Sequence, residues 1–491
     1  MPGDTSFYDR LGISRDASQE QIRLAFREAA RRLHPDVNTE AGATELFLHI
    51  KEAYEILIDP DERAVYDGKL AKHRKSPLPV RFQVRFSQNS LTRIQEKQLA
   101  YALLDLDVLE QFAEQKEVSY PPLNIALVLD CSTSMQGERL DRVKAAAIEL
   151  LKQLRPQDTL AIVGFNDRAD VILPANVRLD PVVAESRIRM LQTFGGTEIY
   201  QGLSAGLKEI QRYLNSTNTN HIVLVTDGHT YGDEQKCLDL ANRAASDGII
   251  ISGLGIGSEW NDEFLDELTR RSGGTSMYVS KSADIKRWLD HLFKNLGKSF
   301  AERVSFNFRS IPAVELLYAY RIQPDAGPLP ISAPIQFGEV PYQGRLSVLL
   351  EFLVDPISTP IERIILAEGD VTFHIPGYTD SMFRIPVTLM LGVEDRPSPA
   401  EPPTDLIEAL SNLTLYRMQE RARHSAQIGN IEAASRSLQH LATHLLARGE
   451  NELAKTVIIE TQQIQQQKRF SQNGEKQIKY GTRALSRSRL E

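Results

Sequence analysis

Five oxygen-bearing side chains fall where a folded chain can gather them around one cation. Asp130, Ser132 and Ser134 alternate in the stretch Asp-Cys-Ser-Thr-Ser, which ends the apolar run Ile125-Ala126-Leu127-Val128-Leu129. A loop of that spacing can turn one carboxylate and two hydroxyls toward a common point. Thr197 follows Phe194-Gly195-Gly196, and Asp227 ends a second apolar run that begins at His221. Hard divalent cations take oxygen ligands, and Mg²⁺ takes six at about 2.0–2.1 Å. The set therefore points to Mg²⁺ or Mn²⁺. Its two carboxylates alone could instead cap the helices after their strands, but three segments in order, each in a strand-end context, favour the cation.

Both carboxylates must be delivered by strand ends. Unbroken apolar runs are the pattern of parallel strands buried on both faces, and open α/β sheets place ligands beyond the carboxyl ends of such strands. The neighbouring chain alternates accordingly. An amphipathic helix is expected over 140–154, a strand over 159–166 and a short antiparallel edge over 169–173. A helix over 199–214 and strands over 249–256 and 277–279 complete a doubly wound sheet. The glycines of Gly253-Leu254-Gly255-Ile256-Gly257 lack nucleotide-loop spacing and are expected to form a turn.

This stretch, from about Pro122 to Phe300, resembles the von Willebrand factor type A (VWA) domain. Asp130, Ser132, Ser134, Thr197 and Asp227 match the five positions of that family's metal-ion-dependent adhesion site one by one. The resemblance implies a Rossmann-like α/β domain that binds a protein through Mg²⁺ and an acidic residue of the partner.

A second set of residues lies near the N-terminus. Ser18-Gln19-Glu20-Gln21 reads as a capping box. Behind it Ile22, Phe26, Ala29 and Leu33 share one helical face, while Arg23, Arg27 and Arg31 share the opposite one. His34-Pro35-Asp36 then stops the helix, since proline lacks a donor and restricts the residue before it. A second helix from Thr44 to Ile58 presents Phe47, Ile50, Tyr54 and Leu57. With Phe7-Tyr8-Asp9-Arg10-Leu11-Gly12 before and Asp59-Pro60-Asp61-Glu62-Arg63 after, the segment resembles the J-domain of DnaJ-like co-chaperones. That resemblance implies that His34, Pro35, Asp36 and the arginine stripe engage a seventy-kilodalton heat-shock chaperone. The family often has lysines where this helix has arginines and Glu28, which bears on the choice of chaperone. The Gly/Phe-rich linker and CxxCxGxG zinc repeat of the fullest co-chaperones are absent from the sequence.

The remainder divides around these two parts. Residues 1–70 form the J-domain and 71–79 a basic, proline-punctuated linker. Period-2 alternation at Val80, Phe82, Val84 and Phe86, and again from Ala100 to Val108, marks strands over 80–118. Alternation resumes over 301–396, so the VWA domain (119–300) is expected to be inserted in one β-sandwich. A linker at 397–403 precedes three glycine-punctuated helices over 404–467, expected as a bundle on the sandwich. The tail, 468–491, holds seven basic and two acidic residues and is expected to be solvated.

A net charge of -8 weighs against a nucleic-acid binder. Two cysteines make no disulfide framework, no signal-peptide pattern opens the chain, and no apolar stretch is long enough for a membrane span. A cytoplasmic protein is expected. The sequence contains no P-loop and no HExxH, and a phosphoaspartate enzyme would need an acid where Ser132 stands. A hydrolase would want more carboxylates and a positioned base. The expected function is therefore not enzymatic. It is that of an adaptor co-chaperone, with a metal-dependent assembly scaffold, tethered by its J-domain, as the competing reading.

Overall fold

The computed structural model describes Phe7, Leu11, Phe112 and residues 17–33, 43–60, 62–63, 79–109, 121–176, 180–215, 217–230, 232–296, 298–309, 311–375, 382–397 and 401–485. Two units, Met1–Pro79 and Val80–Glu491, are compact in themselves.

In the first unit the capping box forms as its residue types dictate. The Ser18 N–H donates to Gln21 Oε1 (2.7 Å), and the Gln21 N–H returns the bond to Ser18 Oγ (3.3 Å). Helix α1 (Gln19–Leu33) then packs on α2 (Ala43–Ile58). Ile22, Ile50, Ala53 and Leu57 are buried between them with Leu11 and Ala17. The Phe26 and Tyr54 rings stack at 4.1 Å between centroids. Arg23 and Arg27 are exposed. The side chain of Arg31 and all of His34, Pro35 and Asp36 lie outside the described residues.

The second unit begins with β1 (Val80–Phe86), β2 (Ser90–Thr92) and β3 (Gln98–Val108). It continues through β4 (Leu123–Asp130), α3 (Glu138–Gln153), β5 (Thr159–Phe165), β6 (Ala169–Asn176), α4 (Pro181–Arg189), α5 (Ile199–Gln211) and β7 (Thr219–Thr226). After these come α6 (Glu234–Ser246), β8 (Ile249–Ile256), α7 (Asp262–Arg271), β9 (Ser276–Val279) and α8 (Ser282–Asn295). Then follow β10 (Ser299–Arg309), β11 (Val314–Gln323), β12 (Gly327–Leu329), β13 (Ile335–Pro341), β14 (Arg345–Val354), β15 (Arg363–His374) and β16 (Met382–Glu394). Helices α9 (Thr404–Gln427), α10 (Ile431–Ala447), α11 (Asn451–Gln467) and α12 (Gln472–Ala484) close the chain.

The strands on either side of the insert share a sandwich. One sheet runs β1-β3-β14-β11-β12 and the other β13-β10-β15-β16-β2. β3 and β14 pair antiparallel from Gln98↔Val354 to Asp107↔Arg345. Leu104, Val348 and Phe352 from one sheet and Phe306, Phe337 and Phe373 from the other belong to the common core.

The inserted sheet runs β6-β5-β4-β7-β8-β9, parallel except for β6. Strand order reverses at β4, so Asp130 and Asp227 stand at the carboxyl ends of adjacent strands. Both ends of the insert meet at Thr219. Its N–H donates to the Pro122 carbonyl at the entry (3.0 Å), and its hydroxyl donates to Glu302 at the exit (2.8 Å).

Two expectations need correction. Gly253 and Gly255 form no turn; they lie within β8, and a Cβ on Gly255 would stand 2.0 Å from the Trp260 ring. A close approach, not a bend, selects glycine there. The basic tail is not simply solvated either. Residues 472–484 fold as α12, whose Lys476 and Lys479 are buried and whose Tyr480 enters the core of the α/β domain beside Trp260 and Tyr278. The C-terminal region thus has four helices. Of these, α9 packs Leu406, Leu413 and Tyr416 against Tyr320 of the sandwich.

Candidate metal centre

The apolar run of β4 ends on Asp130, which is fully buried. Its Oδ1 accepts the Ser132 N–H (2.8 Å), which folds the following residues back over the strand end. A single 3₁₀ turn, Thr133–Met135, then carries Ser134 to within 2.9 Å of the Ser132 hydroxyl. The Ser134 Oγ donates to Asp227 Oδ1 (2.6 Å). Asp130, Ser132, Ser134 and Asp227, drawn from two strand ends, form one continuous polar cluster. Thr197 closes on it from α5's leading loop. A Cβ on Gly228 would lie only 3.0 Å from Thr197 Oγ1, so glycine there admits the hydroxyl. The loop is pinned by the Phe194 N–H to the Cys131 carbonyl (2.9 Å) and by Thr133 Oγ1 to the Gly195 carbonyl (3.0 Å).

Two further residues serve the cluster and were not among the expected ones. Thr226 donates its hydroxyl to Asp130 Oδ2 (2.7 Å), which leaves Asp130 hydrogen-bonded at both oxygens. Arg139, in the first turn of α3, pairs with Asp227 Oδ2 and donates to the Ser134 carbonyl (3.3 Å). Thr226 was signalled only by adjacency to Asp227. Arg139 reads in the sequence as one more charge on an amphipathic helix.

The electrostatics match this inventory. Burial pushes Asp130 up to about 6, although the bonds from Ser132 and Thr226 oppose the rise. Desolvation outweighs the hydroxyls, so the ionised carboxylate lacks a full counter-charge. Cys131 and Cys237 are buried, and burial pushes the Cys131 thiol up to about 12, consistent with packing rather than thiolate chemistry. Among the described residues no group of three His, Cys, Asp or Glu side chains is arranged to hold a metal. The candidate centre rests instead on hydroxyls with two acids. Such oxygens fit Mg²⁺ or Mn²⁺ in type, and Asp130 retains lone pairs beyond those its two donors use.

A second pair of acids in the same domain is served differently. Asp262 opens α7 and Asp266 stands one turn later, and both are buried. Lys479 pairs with both, at 2.8 Å to Asp266. Arg423 reaches Asp262 (3.0 Å), and Arg483 grips Asp266 with both terminal nitrogens (3.0 and 2.6 Å). Tyr480 adds a bond to Asp266 (3.0 Å). Burial alone would raise both acids, but Arg483 and Lys479 hold Asp266 far below the carboxylate range, and Lys479 and Arg423 lower Asp262.

Comparison with known proteins locates three families in the chain. Residues 6–67 match the DnaJ domain, 124–294 the von Willebrand factor type A domain, and 404–488 the Sll0103-like C-terminal alpha-helical domain. A curated relative, "Uncharacterized protein sll0103" of Synechocystis sp., is 26% identical over 336 residues, which cover 65% of this chain and 78% of its own. "Chaperone protein DnaJ" of Streptococcus agalactiae is 53% identical over 64 residues, and that of Cyanothece sp. 59% over 61. The chain spans only 17% and 16% of those two chaperones, and 13% and 12% of this chain are covered. Among solved structures, "von Willebrand factor type A from Catenulispora acidiphila" aligns with 82% of this chain and 96% of its own at a TM-score of 0.64 and 13% identity. The "ArnB paralog VWA2 from Sulfolobus acidocaldarius" aligns with 84% and 98%, at 0.51 and 13%. At that identity the likeness is one of fold. The chain is thus multidomain, with an N-terminal J-domain, a VWA-like α/β domain with its sheets and a helical C-terminal region.

Proposed function

We propose that the chain is an adaptor co-chaperone. The observation that carries this reading is the presence of a DnaJ domain and a VWA domain in one polypeptide. The first is similar at over 50% identity to proteins named as DnaJ chaperones, which supports a heat-shock chaperone of the seventy-kilodalton class as partner. Its contact would run through His34, Pro35 and Asp36, flanked by Arg23, Arg27 and Arg31. A fixed anion beside a cationic helix face favours steered docking.

The VWA domain would supply the client arm. Asp130, Ser132, Ser134, Thr197 and Asp227 would hold Mg²⁺ or Mn²⁺. A bound cation would offer a positive coordination position to a carboxylate of the partner protein. The chain's own residues prepare this. Thr226 and the Ser132 N–H orient Asp130, Gly228 leaves space for Thr197, and Arg139 balances Asp227.

Two variants separate the arms. Asp36→Asn should abolish stimulation of single-turnover ATP hydrolysis by the chaperone while client capture on beads persists. Asp227→Ala should show the reverse, and wild-type capture should be lost in EDTA. Stimulation that survives Asp36→Asn removes the chaperone arm. Capture that is indifferent to EDTA removes the metal arm and leaves a scaffold.

A further inference from the structure

Three parts of the second unit meet around Arg321, a residue of β11 that is 7% exposed. Its Nε donates to the Asp325 carbonyl (2.8 Å) and its Nη1 to the Phe337 carbonyl (3.0 Å). Both acceptors are neutral. Among the described residues no carboxylate forms an ion pair with Arg321, whereas the other arginines at this junction, Arg270 and Arg483, each have one. Glu339 favours its charge from a distance, yet the Glu339 carboxylate accepts from Ser299. An arginine does not shed its proton, so a buried one without a direct ion pair keeps much of its desolvation cost. The chain makes room for this cation at Gly338, where φ is +113° and a Cβ would stand 2.5 Å from Nη1.

The guanidinium borders a cavity of about 50 Å³. Thr275 and Ser276 of the α/β domain and Arg483 of α12 form its other walls. Arg483 spends its terminal nitrogens on Asp266, while its Nε is buried without a hydrogen-bond partner. The two arginines disfavour each other's charge, and burial pushes Arg321 down to about 10, still protonated at neutral pH. Asp266 is already saturated by Lys479 and Arg483. Asp325 keeps the wall mixed in charge, which favours modest affinity and quick release.

We propose that this cavity binds a single phosphate-type oxyanion between Arg321 and Arg483, at the junction of the α/β domain, the sandwich and the C-terminal helix. At about 10–15 Å³ per water, the volume suits a tetrahedral ion with four oxygens. Guanidinium groups pair well with such oxygens, and the hydroxyls and the spare Arg483 Nε add further donors. Because the walls come from three parts of the chain, the anion acts as a tie between them.

Isothermal calorimetry on the full chain, with inorganic phosphate against chloride at matched ionic strength, tests the site. Saturable binding at or below the millimolar range is expected, with affinity lowered at least about tenfold in Arg321→Gln and unchanged in the surface variant Arg142→Gln. Phenyl phosphate distinguishes the source: comparable affinity assigns the site to a phosphomonoester group, and loss of binding assigns it to the free ion. Hydrogen exchange on the wild type serves if Arg321→Gln does not fold. Phosphate should slow exchange over 319–327 and 472–484 together. No phosphate heat beyond chloride at tens of millimolar, equal affinity in Arg321→Gln, or slowing confined to other segments would overturn the proposal.

Discussion

Two pairs of buried acids sit in the same α/β domain and are treated in opposite ways. Asp262 and Asp266 receive Lys479, Arg423 and Arg483 from the C-terminal helices, and both are held below their ordinary range. Asp130 and Asp227 receive hydroxyls, one backbone N–H and Arg139, and Asp130 is pushed up. The first pair is complete. The second carries negative charge that its own chain leaves partly unanswered. Complete compensation marks a fastener, while incomplete compensation marks a place where a cation from outside lowers the free energy most.

The contrast can be broken at its stronger end first. Asp266→Asn leaves Arg483 buried without its acid and Lys479 with Asp262 alone, and removing one partner of such a pair costs about 3–5 kcal/mol. Urea denaturation should register that loss, and limited proteolysis should cut first near α12. A change below about 1 kcal/mol would mean that the network is no fastener. At the other end, Mg²⁺ at about a hundredfold above its Kd should stabilise the wild type by about 2.7 kcal/mol. Ser132→Ala with Ser134→Ala should erase that gain and alter the metal-free protein little, which thermal unfolding in Mg²⁺ and EDTA would show.

Arg139→Gln sharpens the comparison further. It takes away the cation that pairs with Asp227 among the described residues, so Mg²⁺ should bind about tenfold more tightly, worth about 1.4 kcal/mol by calorimetry. Unchanged affinity would show that Arg139 leaves Asp227 without cost. The smallest effect comes from an acid with a hydroxyl alone. Burial pushes Glu302 up to about 7, and among the described residues Thr219 bonds to its carboxyl. A carboxyl raised in the folded state contributes stability that is complete below its unfolded value and is lost as pH rises through about 7. Lowering the pH from 8 to 6.5 should therefore stabilise the wild type by about 1 kcal/mol more than it stabilises Glu302→Gln, read as the difference between their denaturation midpoints. His221 and His374, held near 4 by burial, act in the opposite sense as the pH falls through about 6.5 and offset much of this gain in wild type and variant alike.

The difference between the two acid pairs also explains what could be read from the residues alone. Asp130 and Asp227 follow apolar runs, and a strand written in consecutive Val, Leu and Ile announces its own end. Ser132 and Ser134 are fixed to Asp130 by spacing. Arg139 was invisible, because a charge in the first turn of an amphipathic helix looks the same whether it faces water or an acid. The tail misled for a related reason. Counting charges locally, Lys476, Lys479 and Arg483 seem unopposed, yet Asp262 and Asp266 lie more than two hundred residues earlier. Glycines 253 and 255 likewise answer to Leu265 and Trp260, which local turn chemistry does not consider.

The junction at Thr219 has a consequence for how the chain is made. The β3–β14 pairing joins Asp105 to Ser347, 242 residues later, so a ribosome working at about 5–20 residues per second leaves β1 and β3 without that neighbour for roughly ten to fifty seconds. The α/β domain is synthesised wholly within that interval. Once it folds, Pro122 and Glu302 lie against one residue, and the long excursion from Asp105 to Ser347 closes like a loop of about sixty residues. By the logarithmic cost of loop closure this spares the sandwich about 1 kcal/mol of chain entropy. The inserted domain, once formed, thereby brings the early strands closer to the partners that complete their sheet.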